Sequence, residues 1–362
     1  MNRHADRDTV RHRGFTLVEF LVVAGIVTIL LGLTIPAIQK VREVLNKTVC
    51  ESNLRQLGLA AHHYQTDRGK LPPGYLGPSR ANETKLPVLY YEGQWIGHLP
   101  ELLPYIEKES LFREIDVDFD IKTVDPRKWF WIAPSPGPGQ PNAANYSAAM
   151  RPLKLFRCPS APNFTPPAGD PAPRGGGSIV GLHVFNSPEM GPYTVFWRDE
   201  YGSANHYRPL ARTNYIGIAG CGTGTEPFFS KYAGIYTNRS EYTLAQITVL
   251  DGASNTLLYG ETCGSGLGQR IGTMDISWMA GGGLGTYHGL EKALKARVTG
   301  FSSCHSPGVQ FCFADGSVRV VRFGATQWNG DPAVAFTTDW LILQQLAGVR
   351  DGTWQDPSSI LE

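Results

Sequence analysis

The sequence predicts an α+β chain in which a long amino-terminal helix, membrane-crossing at first and amphipathic beyond, packs on a β-rich, mainly antiparallel globular head with long loops. Three observations carry this expectation. Residues 15–38 are apolar with Glu19 as their only charge. Beyond them Ile38, Val41, Val44, Leu45, Leu54, Leu57, Ala61 and Tyr64 recur near the 3.6-residue period of a helix. The chain also holds 41 Gly and 26 Pro, a content that favours turns and short strands after the helix ends.

The first segment, residues 1–14, places Arg3, Arg7, Arg11 and Arg13 against Asp6 and Asp8. An arginine excess before an apolar span holds that end in the cytoplasm, so the bulk of the chain is expected outside. From Phe15 to Ile38, at about 1.5 Å per residue, a helix reaches roughly 36 Å, enough for a hydrocarbon core of about 30 Å. Gly14 precedes this run, whereas a secretory signal peptide carries its small-residue cleavage site after a shorter one. Cleavage after Gly14 would leave the helix attached to the chain. A plain signal anchor that is never cleaved is the alternative. Glu19 is costly in lipid and needs a partner; the new ammonium at Phe15 of a neighbouring subunit is one. Pro36 lacks an N–H and its ring clashes with the preceding turn, which weakens the helix there.

The segment Gly14-Phe15-Thr16-Leu17-Val18-Glu19 resembles the processing motif of prepilins and pseudopilins, in which a membrane peptidase cuts after the Gly and methylates the new amino terminus. The resemblance implies Gly14 as the cleavage residue, Phe15 as the methylated terminus and Glu19 as the assembly carboxylate. Pro36 stands where the anchors of pilins melt locally during packing. The implied partners are the prepilin peptidase, other pilin-like subunits and the lipid bilayer. The implied location is the inner membrane, crossed once, with the head periplasmic or extracellular.

Past the membrane the helix is expected to continue over residues 39–66, its outer half docking on the head, until Arg68-Gly69-Lys70-Leu71-Pro72-Pro73-Gly74 stops it. Residues 67–362 form the head. Leu99, Leu102, Leu103, Ile106, Leu111 and Phe112 have helix-like spacing, with Pro100 and Pro104 dividing them into short helices. Residues 132–142 and 161–178 are Pro- and Gly-rich and read as surface loops. Strands are expected over 213–218, 245–250, 255–259, 309–313 and 318–323, the last two joined by a tight turn at Asp315-Gly316. With 42% hydrophobic residues and a net charge of +1, the chain can fill a core and has no basic excess to suggest nucleic acid.

A second resemblance rests on several blocks. His305 is followed by nine residues and then Asp315-Gly316, similar to the carboxy-terminal signature of the bacterial DUF1559, or His-X9-Asp-Gly, family. The blocks Cys50-Glu51-Ser52-Asn53-Leu54-Arg55-Gln56-Leu57-Gly58, Cys158-Pro159-Ser160, Thr213-Asn214-Tyr215, Asp251-Gly252-Ala253-Ser254-Asn255-Thr256 and Gly260-Glu261 agree with it. It implies a pseudopilin-like membrane protein with a β-rich head. It also suggests a bridge between Cys50 and Cys158, because those two cysteines sit in family blocks. Six cysteines allow fifteen complete pairings; Cys304 with Cys312 and Cys221 with Cys263 would complete this one, and buried thiols are the other outcome.

His305 is expected to hydrogen-bond a neighbouring strand or loop and Asp315 to serve the turn, with metal binding as the sharper reading. Asp251, Ser254, Asn255 and Glu261 offer hard oxygen ligands for calcium, which stabilises the heads of some pseudopilins, yet the same residues are ordinary turn formers. No metal ligand is assigned. The chain shows no His-Glu-X-X-His, no Gly-X-Ser-X-Gly and no phosphate loop, so no catalytic residue and no enzyme is expected. An extracytoplasmic hydrolase using His305, Asp315 and Glu261 is one remaining alternative. A surface binding module, for polysaccharide for example, is the other; it needs exposed rings among Trp95, Trp129, Trp131, Trp197, Tyr201 and Tyr207.

Overall fold

The computed structural model describes residues 17–79, 81–82, 93–129, 143–161, 177–200, 210–264, 274–293, 296–328, 335–352 and 355–362. Gly14 and Phe15, Trp131, Tyr201 and Tyr207, and nearly all of the two expected Pro-rich loops lie outside the described residues. Two compact units are present, residues 1–46 and 47–362.

Helix α1, Leu17–Arg68, is one element of 52 residues and runs through Pro36 without a break. In the first unit its apolar side chains, among them Phe20, Ile26, Leu31, Ile35 and Ile38, are exposed. That stretch is long and apolar enough to cross a membrane, with a mean hydropathy of 2.5 over its most apolar window.

In the second unit the helix changes character. Cys50, Asn53, Leu54, Leu57, Gly58, Ala61 and Tyr64 are buried, a three- and four-residue spacing that lays one stripe against the head. Val41, Val44 and Leu45, earlier in the stripe, are exposed, so it is the outer half of the stripe that docks, as expected. Gly58 is required by close approach: a Cβ there would lie 2.6 Å from Cys312 Sγ.

The next segment holds a 3-10 helix, Leu99–Ile106, and the short helix α2, Glu109–Phe112; Pro100 and Pro104 both lie within the first, and the break falls at Glu107, whose φ is 61°. Helix α3 spans Ala143–Ala149. The strands are β1 Gly177–Ser187, β2 Gly191–Glu200, β3 Arg212–Thr213, β4 Tyr215–Gly220, β5 Thr223–Gly224, β6 Leu257–Glu261, β7 Met274–Ser277, β8 Gly283–Gly285, β9 Leu290–Lys292, β10 Phe301–Ser303, β11 Gly308–Phe313 and β12 Val318–Arg322. Helices α4 Pro227–Ser230, α5 Leu244–Leu250 and α6 Thr338–Ala347 complete the described elements.

One sheet has the order β2-β1-β7-β3, with β5 beside β1; another has the order β12-β11-β6-β4-β8; β9 and β10 pair separately. The long ladders, β1 with β2 and β11 with both β12 and β6, are antiparallel as expected. The β1–β7, β1–β5, β4–β8 and β9–β10 pairs are parallel, so the sheets are mixed.

The expected strand at 245–250 is instead helix α5. Thr243 caps it by accepting from the Gln246 amide while the Gln246 side chain returns to the Thr243 amide, and this reciprocal cap outweighs the β-branched content of the segment. The hairpin at Asp315-Gly316 is as expected: Gly316 has φ of 83°, and Asp315 Oδ1 accepts from the Ser317 amide at 2.8 Å.

Two cores result. One gathers Leu54, Leu57, Tyr64, Leu99, Leu103, Phe156, Tyr215, Tyr259 and Cys312 around the second half of α1. The other places Ile216, Leu257, Val309, Phe311 and Phe313 against Trp340 and Leu343 of α6. Strand β11 therefore serves both, sending Cys312 to the first and its alternate residues to the second, as the two-residue repeat of a strand dictates.

Candidate functional site

Four segments remote in sequence meet beneath α1. The helix contributes Cys50. The loop after the 3-10 turn Lys154–Phe156 contributes Cys158, whose backbone amide donates to Asn214 Oδ1 at 3.0 Å. The end of β6 contributes Glu261, and the turn between β10 and β11 contributes His305, whose amide donates to Ser303 Oγ at 3.0 Å. All four side chains are buried.

Cys50 Sγ and Cys158 Sγ are free thiols 2.8 Å apart. His305 Nε2 is 3.3 Å from the first sulfur and 3.4 Å from the second, and 3.7 Å from Glu261 Oε1. Glu261 Oε2 accepts from Ser303 Oγ at 2.8 Å and from the Gln310 amide at 3.3 Å. Oε1 accepts no hydrogen bond among the described residues.

The electrostatics follow from that crowding. The Cys50 thiol donates to Cys158, which pushes Cys50 well up and, with His305 beside it, lowers Cys158 below the ordinary thiol range. Burial, then the negative Cys158, raises Glu261 to about 7. Burial drives the Tyr215 hydroxyl upward next to the same sulfurs.

The signature His305-X9-Asp315-Gly316 thus divides into two jobs. His305 faces two thiols and a carboxylate, not simply a neighbouring strand, while Asp315, which is exposed, and the half-buried Gly316 shape the hairpin turn. The turn also secures the helix, because His62 Nε2 lies 2.9 Å from the Ala314 carbonyl oxygen. Glu261 was grouped with Asp251, Ser254 and Asn255 as an oxygen donor for calcium; instead it belongs to the thiol cluster. Asp251 closes α5, and its Oδ2 faces the Asp351 amide at 3.4 Å.

The remaining cysteines are placed differently from the expectation. Cys263 and Cys304 lie 3.1 Å apart, because the end of β6 and the end of β10 run side by side. Cys312 instead packs on Gly58, and Cys221 Sγ lies 3.4 Å from Gln344 Oε1. The aromatic platform is also absent among the described residues. Trp95 and Trp129 are fully buried, Trp129 Nε1 donates to the Val180 carbonyl at 2.8 Å, and Trp197 packs on Trp95 with ring centres 4.1 Å apart. Sequence reasoning missed the convergence of Cys50, Cys158, Glu261 and His305. The available signal was that each falls in a different block of the resemblance, one chemically able residue per block.

Residues 39–322 match the model of a family described as a protein of unknown function (DUF1559). Residues 10–35 match the prokaryotic N-terminal methylation motif. The competence protein ComGC of Halalkalibacterium halodurans is 39% identical over 59 residues, 16% of this chain and 58% of that protein. The ComG operon protein 3 homolog of Bacillus licheniformis is 38% identical over 64 residues, 17% of this chain and 66% of that protein. The chain therefore spans less than two thirds of either relative's length. No solved structure matches. The amino-terminal segment is that of a type IV pilin-like precursor, and its apolar helix fits membrane anchoring.

Proposed function

The chain belongs to the DUF1559 family, and from that premise and its amino-terminal motif we propose that it is a structural subunit of a membrane-anchored, pseudopilus-like assembly, with no enzymatic role. A prepilin peptidase cuts after Gly14 and the new terminus is N-methyl-Phe15. The arginine-rich flank stays in the cytoplasm, the helix spans the inner membrane once, and the head stands on the far side. The observation that carries this reading is the methylation motif joined directly to a helix whose apolar side chains are exposed from Leu17 to Ile38.

The assembly step follows from electrostatics. Helices of like subunits pack laterally in lipid, and the carboxylate of Glu19 pairs with the Phe15 ammonium of a neighbour, which offsets the cost of burying either charge. The competence proteins resemble only 16–17% of this chain, so most of it distinguishes the assembly that this chain would enter. Burial of Trp95 and Trp129 favours a structural head over a carbohydrate-stacking one.

The test is the mature amino terminus, read by mass spectrometry on protein from native membranes with and without an active prepilin peptidase. A peptidase-dependent N-methyl-Phe15 terminus is expected. An intact Met1 end would make the chain a simple tether. Glu19→Ala should reduce incorporation into assemblies and leave the unfolding of the head unchanged; normal incorporation of that variant would overturn the pairing.

A further inference from the structure

We propose that Cys50, Cys158, Glu261 and His305 form a closed four-ligand site for a soft divalent metal ion, zinc foremost, that cross-links the docking helix to the head. The site is independent of how the amino terminus is processed.

The first argument is geometric. The four potential ligand atoms, one from each residue, all lie within 4.8 Å of one another. A tetrahedral zinc ion with bonds of about 2.3 Å to sulfur and about 2.0–2.1 Å to nitrogen or oxygen has ligand-to-ligand edges of roughly 3.3–3.8 Å. The three edges from His305 Nε2, at 3.3, 3.4 and 3.7 Å, match that size. The sulfur-to-sulfur edge of 2.8 Å must open by about 1 Å to accept the ion. The donor set of two thiolates, one imidazole and one carboxylate suits zinc and leaves no open position, which marks a structural rather than a catalytic centre.

The second argument is the orphan oxygen. Ser303 and the Gln310 amide hold Oε2 of Glu261, which turns Oε1 toward the sulfurs and the imidazole. A buried carboxylate oxygen with no hydrogen bond is expensive. With a bond between Cys50 and Cys158, Oε1 would face His305 Nε2 at 3.7 Å, beyond hydrogen-bond reach, whereas a metal ion satisfies it along with both sulfurs.

The surroundings are those of an outer shell. The Ser160 amide donates toward Cys158, the Tyr215 hydroxyl interacts with Cys50, and Asn53 Nδ2 reaches Tyr215 Oη at 3.3 Å. Such donors spread the excess negative charge of two thiolates and a carboxylate and fix the ligands in place. Because the ligands come from four remote segments, ion binding and closure of the head are one event.

The experiment uses the full chain purified in detergent without chelator, assayed for metal content and, by intact mass under non-reducing conditions, for sulfur bonding. About one zinc ion per chain is expected. Cys158→Ser should remove it, and His305→Ala should lower retention by about tenfold or more. Cys312→Ser, a buried thiol outside the cluster, should keep it. Cobalt exchanged into the wild-type protein should give the intense visible bands of a tetrahedral thiolate centre, a readout that needs no variant to fold. Wild-type protein without the metal, whether its sulfurs are free or bonded to each other, overturns the proposal. So does a metal content that Cys158→Ser leaves unchanged.

Discussion

Helix α1 is one element with two unlike halves. Up to Val49 its large apolar side chains lie open, and from Cys50 onward one stripe is sealed in the head. The first half is apolar on every face up to Ile38 and the second carries a single apolar stripe among polar residues. A second difference lies in what the polar positions do. In the first half Thr28 and Thr34 bond back to carbonyls of their own helix, so that between Phe20 and Ile38 their hydroxyls are satisfied within the helix. In the second half Asn53, His62 and Tyr64 reach outward to Tyr215, Ala314 and Glu101. A helix made for lipid satisfies itself, and a helix made for a core is satisfied by others.

The sharpest way to break this contrast is to remove bulk from each half. Leu54→Ala, at a fully buried position, should lower the unfolding free energy of the head by about 2–5 kcal/mol. Leu31→Ala, at an exposed one, should leave it unchanged. Denaturant unfolding of the full chain in detergent, followed by tryptophan fluorescence, measures both; equal effects would end the distinction.

Gly58→Ala probes how tightly the second half is seated. The added methyl meets Cys312 Sγ, and overpacking of this kind costs about 1–3 kcal/mol. The double variant with Cys312→Ala should recover part of that loss, which a double-mutant cycle would detect.

Charge gives a third test. Burial raises Glu101, which accepts from the Tyr64 hydroxyl near Arg68 and Lys70, from 4.5 to about 8. The folded state therefore holds this proton more tightly than the unfolded one. Its contribution is fully present below pH 4.5 and is lost as pH rises through about 8. Glu101→Gln should flatten stability across that window, and an unchanged slope would remove Glu101 as the cause. The smallest effect belongs to Arg55, one residue from Leu54, whose ion pair with Glu51 is 3.0 Å long and largely exposed. Arg55→Ala should cost no more than about 0.5 kcal/mol by the same unfolding assay.

Much of this architecture was legible in the sequence. The uninterrupted helix followed from its period, and the hairpin followed from Asp315-Gly316. The strand-like reading of 245–250 failed because Ile247, Thr248 and Val249 were weighed without the Thr243–Gln246 cap. Strands β1 and β2 went unseen because Gly181, His183 and Asn186 interrupt the apolar run, although each is buried. The site was half legible: its residues stood in recognisable blocks, but only the packing of β6 beside β11 and β10 shows that Glu261 and His305 share one place. Of the cysteine pairs, Cys50 and Cys158 are neighbours as expected, whereas the other two pairings differ because adjacency in the fold, not spacing along the chain, places Cys263 beside Cys304.

The contact between His62 and Ala314 spans 252 residues. A ribosome adding about 5–20 residues per second delivers the second partner roughly 13–50 s after the first. Throughout that interval Leu54 and Leu57 have been made, but Cys312 and Ala314 of the same core have not. The hairpin at 308–322 is therefore a late closure on an early helix.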